Sequence, residues 1–441
     1  MTDAHQAQRD WLQRLLQGAP AAAGPEWLTR MHTEARRLLE QLPPIDRRQE
    51  AWRYTGIESL VAEHFSLPPH REAELGREAL PNIEGLDTWR LVFVDGTFQP
   101  RLSALEGLPE GVVASDLRGW ENHRSNLLAT SLGRLAGSHA HLFTALNEAL
   151  AEDGAFIQVP AETRLEKPIE ILHLVTDAGR PWLIVPRNLV LLGERAEATL
   201  IERFVGHPGT RYFHDGLTDL VLGREAQLVH YRVQDESRDA WHLSSLRLDQ
   251  AAGSRYEGCS LAFGGRWSRT EQNTVFEARD AECHLSGVYL VGEGQLCDFH
   301  LDVRHEVPDC RSSERYKGVL FGRGRAVFDG RILVAKDAQR TDAHLSNNNL
   351  MLVRDAEIDT KPQLEIYADD VQCSHGTTVG QLDPLQVFYL RSRGIGEAEA
   401  RRLLCLGFAS DLVGDIRIEA LREHVENRIR DTLVLDGGSR E

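Results

Sequence analysis

Cys373 and His375 are the residues whose types and spacing could do chemistry: a thiolate and an imidazole, separated by one serine, are both ligands for soft or borderline metals. Residues two apart in an extended chain project to the same side, so this pair can reach one metal or one neighbouring surface. Gly376 beside them permits close approach by another backbone. The bland alternative is a packed thiol beside a hydrogen-bonded imidazole. Ahead of the pair, Leu364 and Ile366 alternate with Glu365 and Tyr367, a strand with one buried face that Asp369 and Asp370 break. Cys373 and His375 are therefore expected at or just after a strand end.

Other constellations carry less. His300 and His305 lie between Cys297 and Cys310, but on strand parity His300 and Asp302 share one face while His305 falls on the other. They do not converge on a metal without a bend, and exposed polar positions are the better reading. Arg53, Arg391 and Arg393 could hold a phosphate or carboxylate; in so Arg-rich a chain, surface ion pairing is favoured. The six Cys show no C-x-x-C spacing, which fits reduced thiols better than a disulfide framework or a closed zinc site. No P-loop occurs and there are only four Lys, so an ATP-driven step would need a partner. Gly322-x-Gly324 lacks the third glycine and the helix alternation of a dinucleotide fold. H-E-x-x-H, G-x-S-x-G and EF-hand patterns are missing as well.

The elements that must position the pair follow from periodicity. Residues 1–150 read as mainly helical, with Trp11, Leu12, Leu15 and Leu16 on one face, then Met31, Ala35, Leu38, Leu39 and Leu42 on a second segment that Pro43 and Pro44 end. Trp89 to Leu102 reads as a hairpin turning at Asp95-Gly96. A further helix is expected over 138–152. Residues 151–385 are a run of short strands separated by turn residues, and helix-length patterns are missing for more than two hundred residues. Such a run is a sandwich, a barrel or a stacked solenoid; its length favours a β-helix, since each rung contacts only its neighbours. Asn347, Asn348 and Asn349 suit a rung corner or a plain loop. Residues 386–441 return to a helical period, with Ala400, Leu403, Leu404 and Phe408 on one face and Leu421, Val425 and Ile429 on another. That tail is too short for its own core, so it must pack on the body or on a partner.

The chain has 441 residues, 41% of them hydrophobic, and a formal charge of −17, an ordinary globular composition that argues against non-specific nucleic-acid binding and an anionic membrane surface. The first residues have no signal- or transit-peptide pattern and no run of about 18 apolar residues occurs. A cytoplasmic location is expected.

Several stretches carry a resemblance. AWRYTGI, FTALNEALAEDGAFIQVP, PRNLVLLGERAEATLIERFVG, SNNNLML, TKPQLEIYADDVQCSHGTTVGQLD and FYLRSRGI, in this order, resemble the SufB and SufD family of iron-sulfur cluster assembly proteins over nearly the whole chain. The C-S-H-G motif and the lack of a Cys-rich spacing favour the SufD branch of the family. The resemblance implies an N-terminal helical region, a right-handed parallel β-helix and a C-terminal helical domain. It also implies a non-enzymatic scaffold that pairs with SufB through the β-helix, docks the ATPase SufC through the C-terminal helices, and forms a possible homodimer alone. No tightly bound cofactor is implied, only a transient iron-sulfur cluster at which His375 is implicated with Cys373 beside it. Arg391, Arg393 and Gly394 are the expected part of the ATPase contact. Cluster irons take about four ligands, usually thiolates, so a doublet has to be completed from another chain. The rivals are an adaptor in which His375 carries no chemistry, and a β-helix polysaccharide lyase or hydrolase using Asp302, Asp369 and Asp370.

Overall fold

Alternation is what the backbone makes of the strand-rich stretch: successive strands go in turn to two facing sheets, and from Arg187 onward each pairs in parallel with the preceding strand on the path of its sheet. The computed structural model describes residues 3–19, 26–119, 141–177 and 179–435. Sheet I ends with the strands Arg311–Leu320, Asp342–Met351 and Gln372–Gly380, and sheet II with Leu296–His305, Arg325–Val334 and Glu357–Ile366. The result is a parallel β-helix of about eight turns.

The turn chemistry recurs with the fold. At the successive steps from sheet II to sheet I, one residue takes a left-handed backbone: Glu162, Arg195, Glu225, Asp280, Asp309 and Arg340 at φ 53–67°, with Gly253 in that place once. Charged side chains there tie one corner to the next, as where Arg279 and Arg340 both donate to Asp309 Oδ2, at 3.0 and 2.8 Å.

The interior is mainly apolar towards the C-terminal turns, where Phe299, Leu301, Tyr316, Phe328 and Leu345 meet. Towards the N-terminal turns it is polar. There Glu202 accepts from Asn188 (2.7 Å), Thr218 (2.8 Å) and Arg232 (2.9 Å), all of them buried. The imidazoles of His214 and His242 stack at 5.1 Å beside Phe204.

Helices cover both outer faces. On sheet II lie α1 (Asp3–Gly18), α2 (Glu26–Gln41), the short α3 (Glu58–Val61) and α4 (Leu142–Leu150). Trp11, Leu15, Ala35, Leu39, Trp52 and Phe143 bury there against Phe213, Trp241 and Trp267. The 138–152 expectation is met over 142–150; residues 138–140 lie outside the described residues. The hairpin forms as read: Trp89–Val94 turns through Asp95 and Gly96, both at positive φ, into Thr97–Phe98.

The tail forms α5 (Pro384–Ser392), α6 (Glu397–Gly414) and α7 (Glu419–Leu435). Leu421, Val425 and Ile429 of α7 are fully buried with Tyr231, Val233, Leu261, Leu290 and Val319 of sheet I, worth on the order of 2 kcal/mol per side chain. The buried face of α6 is rotated from the expected one: it runs through Ala400, Cys405, Ala409 and Leu412, while Leu403 is exposed. The small side chains at 405 and 409 let the helix approach the sheet closely, and the larger ones are turned to its rim.

Candidate functional site

Cys373 and His375 sit within the strand Gln372–Gly380, not after a strand end, and that strand is the last of sheet I. Asp369 and Asp370 do break the preceding strand, which stops at Ile366, but pairing with Asp342–Met351 then restores an extended chain through the motif. In register, Ala343 lies opposite Cys373 and Leu345 opposite His375. Ala343 and Leu345 are buried in the helix interior, so both motif residues stand on the interior-facing row of the terminal turn.

Among the described residues, no further turn covers that row. Cys373 is half-buried against the interior core, as are Ile358 and Leu364 on the last strand of sheet II, whereas His375 is exposed. An added Cβ at Gly376 would meet nothing within 4 Å, so the space expected for an approaching backbone is open. Ser374 faces the other way, where its Oγ lies 2.7 Å from His344 Nδ1. Burial pushes the Cys373 thiol up, and the negative charges of Asp342 and Glu314 add to this. Cys373 is therefore a thiol at neutral pH, and a metal binding there must displace its proton.

Among the described residues, no three His, Cys, Asp or Glu side chains are placed to hold a metal ion together. The His300 and His305 pair separates as parity required, but His305 is not an exposed polar residue: it is fully buried, stacked on Phe276 at 4.6 Å, with Nε2 3.1 Å from Ser312 Oγ. His300, on the outer row, lies 3.2 Å from Asp298. Cys297 and Cys310 are both buried.

Around the open end the surface is apolar. Ile366, Tyr367 and Val379 are exposed at the terminal turn, and Leu385, Phe388 and Tyr389 on α5, the helix that follows it. Arg391 pairs with Glu397 (3.2 Å), and the Arg393 guanidinium lies 5.2 Å from the Tyr389 ring centre. Gly394 ends the helix at φ 86°. Sequence reasoning points to the arginines and misses Leu385, Phe388 and Tyr389. Their signal is a helix opening at Pro384 whose apolar residues match no core-facing period.

Comparison with known proteins bears on what such a chain does. The model of the SUF system FeS cluster assembly SufBD core domain matches residues 174–408, and that of the SufBD protein N-terminal region matches 20–171. The chain is 34% identical over 418 residues to the iron-sulfur cluster assembly protein SufD of Escherichia coli, covering 93% of this chain and 95% of that one. It is 24% identical over 420 residues to the Bacillus subtilis protein of the same name, covering 91% and 93%. It is 27% identical over 429 residues to the chloroplastic protein ABCI7 of Arabidopsis thaliana, covering 96% and 89%. A parallel β-helix between two helical regions, ending in an uncovered Cys-Ser-His turn, thus comes with matches along nearly the full length, and the chain belongs to the SufB and SufD family of iron-sulfur cluster assembly proteins.

Proposed function

We propose that this chain is a non-enzymatic scaffold subunit of the SUF machinery, which offers His375 and Cys373 as part of a ligand set for a nascent iron-sulfur cluster that it then gives away. The observation that carries this reading is the uncovered terminal turn, with the Cys-x-His pair on its interior-facing row. Two ligands leave a cluster iron short, and the unpaired edges of Glu357–Ile366 and Gln372–Gly380 offer backbone groups to a second chain that can supply the others. SufB is the proposed partner at that edge. The cluster is cargo, and a site with few thiolates releases it readily. Cytoplasmic work suits the reduced thiols, and the division at residues 150 and 385 gives this scaffold its three proposed domains.

The test is made on the chain co-expressed with SufB and SufC and purified without oxygen, counting iron and acid-labile sulfide. His375→Ala is expected to form the complex yet lose most of both. Equal iron and sulfide in variant and wild type would leave the chain a structural adaptor.

The ATPase SufC is proposed to dock on α5. Leu385 (75% exposed), Phe388 (68%) and Tyr389 (57%) form an apolar patch flanked by Arg391, Arg393 and Gly394. Phe388→Asp is expected to release SufC from the co-purified complex and leave the melting temperature within about 2 °C, because an exposed side chain adds little to the fold. Retention of SufC at wild-type stoichiometry moves the docking surface elsewhere.

A further inference from the structure

One turn beneath the uncovered pair lies a closed ring of hydrogen bonds. Tyr289 Oη donates to Asn349 Oδ1 (2.6 Å), Asn349 Nδ2 donates to Asn347 Oδ1 (2.6 Å), and Asn347 Nδ2 donates back to Tyr289 Oη (2.9 Å). Thr360, on the last strand of sheet II, adds a donor from across the interior, its Oγ1 lying 3.0 Å from Asn347 Oδ1. Tyr289, Asn347 and Asn349 are all buried. The three asparagines of 347–349 are thus not at a rung corner: they lie mid-strand, with 347 and 349 facing in and Asn348 accepting from Thr378 (2.7 Å) on the other face.

The ring spans a skipped rung. Tyr289 and Asn349 belong to strands two apart in sheet I, and the position between them in register is Gly318. A Cβ at Gly318 would overlap the Tyr289 ring and stand 2.6 Å from Asn349 Oδ1, so any side chain there closes the gap through which the two meet.

Such a ring adds little net stability, since its groups would be hydrated in the unfolded chain. What it adds is register. Hydrophobic parity is weak in Asp342–Met351, with Ala343 and Leu345 facing the interior but Leu350 buried on the outer side. A slip by one residue exchanges the faces, puts Asn348 inside, and strands Tyr289 and Thr360 without their partners. The terminal strand takes its own parity from this one, with only an open turn beyond it.

We propose that Tyr289, Asn347 and Asn349, tied across by Thr360, are positioning residues that lock the register of the uncovered turn, so that Cys373 and His375 face the interior before any partner arrives. The use made of that pair rests on the function proposed above; the lock itself does not.

The experiment compares the full-length chain with Tyr289→Phe/Asn347→Leu/Asn349→Leu, which removes the ring and leaves apolar side chains. Two readouts are needed: the rate at which a maleimide labels the native protein, and hydrogen exchange in 372–380. Five of the six thiols are buried, so labelling reports Cys373, and Cys373→Ser confirms the assignment. The ring-free variant is expected to label about tenfold faster and to lose exchange protection in 372–380, while its melting temperature stays within about 4 °C. Labelling and exchange equal to wild type overturn the proposal. Should the triple variant not fold, Tyr289→Phe, which removes one donor, is judged by the same two readouts. If His375→Ala keeps its cluster while the ring-free chain frees Cys373, the scaffold reading falls and the lock stands. Loss of cluster in His375→Ala with wild-type labelling in the ring-free chain keeps the scaffold and removes the lock.

Discussion

Asp219→Ala is expected to lower the unfolding free energy by about 3–5 kcal/mol, because it leaves two buried guanidinium groups to share Glu148. Asp219 is fully buried on the outer row of sheet II, beneath α4. Its Oδ1 accepts from Arg247 Nε (2.7 Å), and its Oδ2 from Arg187 Nη2 (3.0 Å) and Arg247 Nη2 (3.1 Å). Glu148 of α4 completes the group, 3.0 Å from Arg247 Nη1. Burial alone would raise the Asp219 carboxyl, but the charges of Arg247 and Arg187 more than offset this and hold it below the usual carboxylate range. The measurement is a urea titration, with a lower midpoint at an unchanged slope. Replacing Asp219, Arg187, Arg247 and Glu148 together by apolar residues of similar volume should recover most of the loss, since the group specifies packing more than it stabilises. A single substitution costing under about 1 kcal/mol would mean that water reaches these charges.

Glu314→Gln should act in the other direction, by an amount that grows as the pH rises above about 4.3. Glu314 faces the interior between Leu285 and Leu345 in register, fully buried, and neither carboxyl oxygen has a well-formed hydrogen bond, although Ser312 lies close enough to ease its titration in part. Burial pushes this carboxyl up to about 8. In the unfolded chain it titrates near 4.3, so the stability linked to its proton is complete below about pH 4.3 and is lost as the pH rises through the folded value. The loss is roughly 1.4 kcal/mol per pH unit, on the order of 5 kcal/mol over the whole window. Glutamine keeps the shape and removes the titration. The variant is therefore expected to be several kcal/mol more stable than wild type at pH 8.5 and about equal to it at pH 4.3. Parallel titrations at the two pH values that give the same difference at both would show that Glu314 is not the titrating group.

Local chemistry makes much of this legible from sequence. Asp95-Gly96 names its own turn because only a tight hairpin uses two left-handed residues in succession. The side shared by Cys373 and His375 follows from strand parity, and the α7 face at Leu421, Val425 and Ile429 from helical period. Burial of charge is not legible. Arg187, Asp219 and Arg247 do stand on the outward row, where period-two logic places charge, but α4 covers that face. Glu202 and Arg232 break the rule more deeply, facing the interior itself as a bonded pair. His305 escapes for the same reason, since an imidazole stacked on Phe276 looks polar in sequence and behaves as an aromatic in place. The motif reads as lying at or just after a strand end because pairing with Asp342–Met351, a stretch thirty residues away, is a tertiary fact.

The two unpaired edges at the end of the β-helix set a rule of supply for the cell. Pro362 takes one donor from the sheet II edge, but no strand among the described residues pairs with either edge. The chain by itself therefore presents two long hydrogen-bonding edges beside exposed Ile366, Tyr367 and Val379, and under the pairing proposed above, copies made in surplus would have one another as their nearest match. Under the pairing proposed above, production of this subunit would have to keep step with that of its proposed partner, and an imbalance would appear first as self-paired protein withdrawn from assembly.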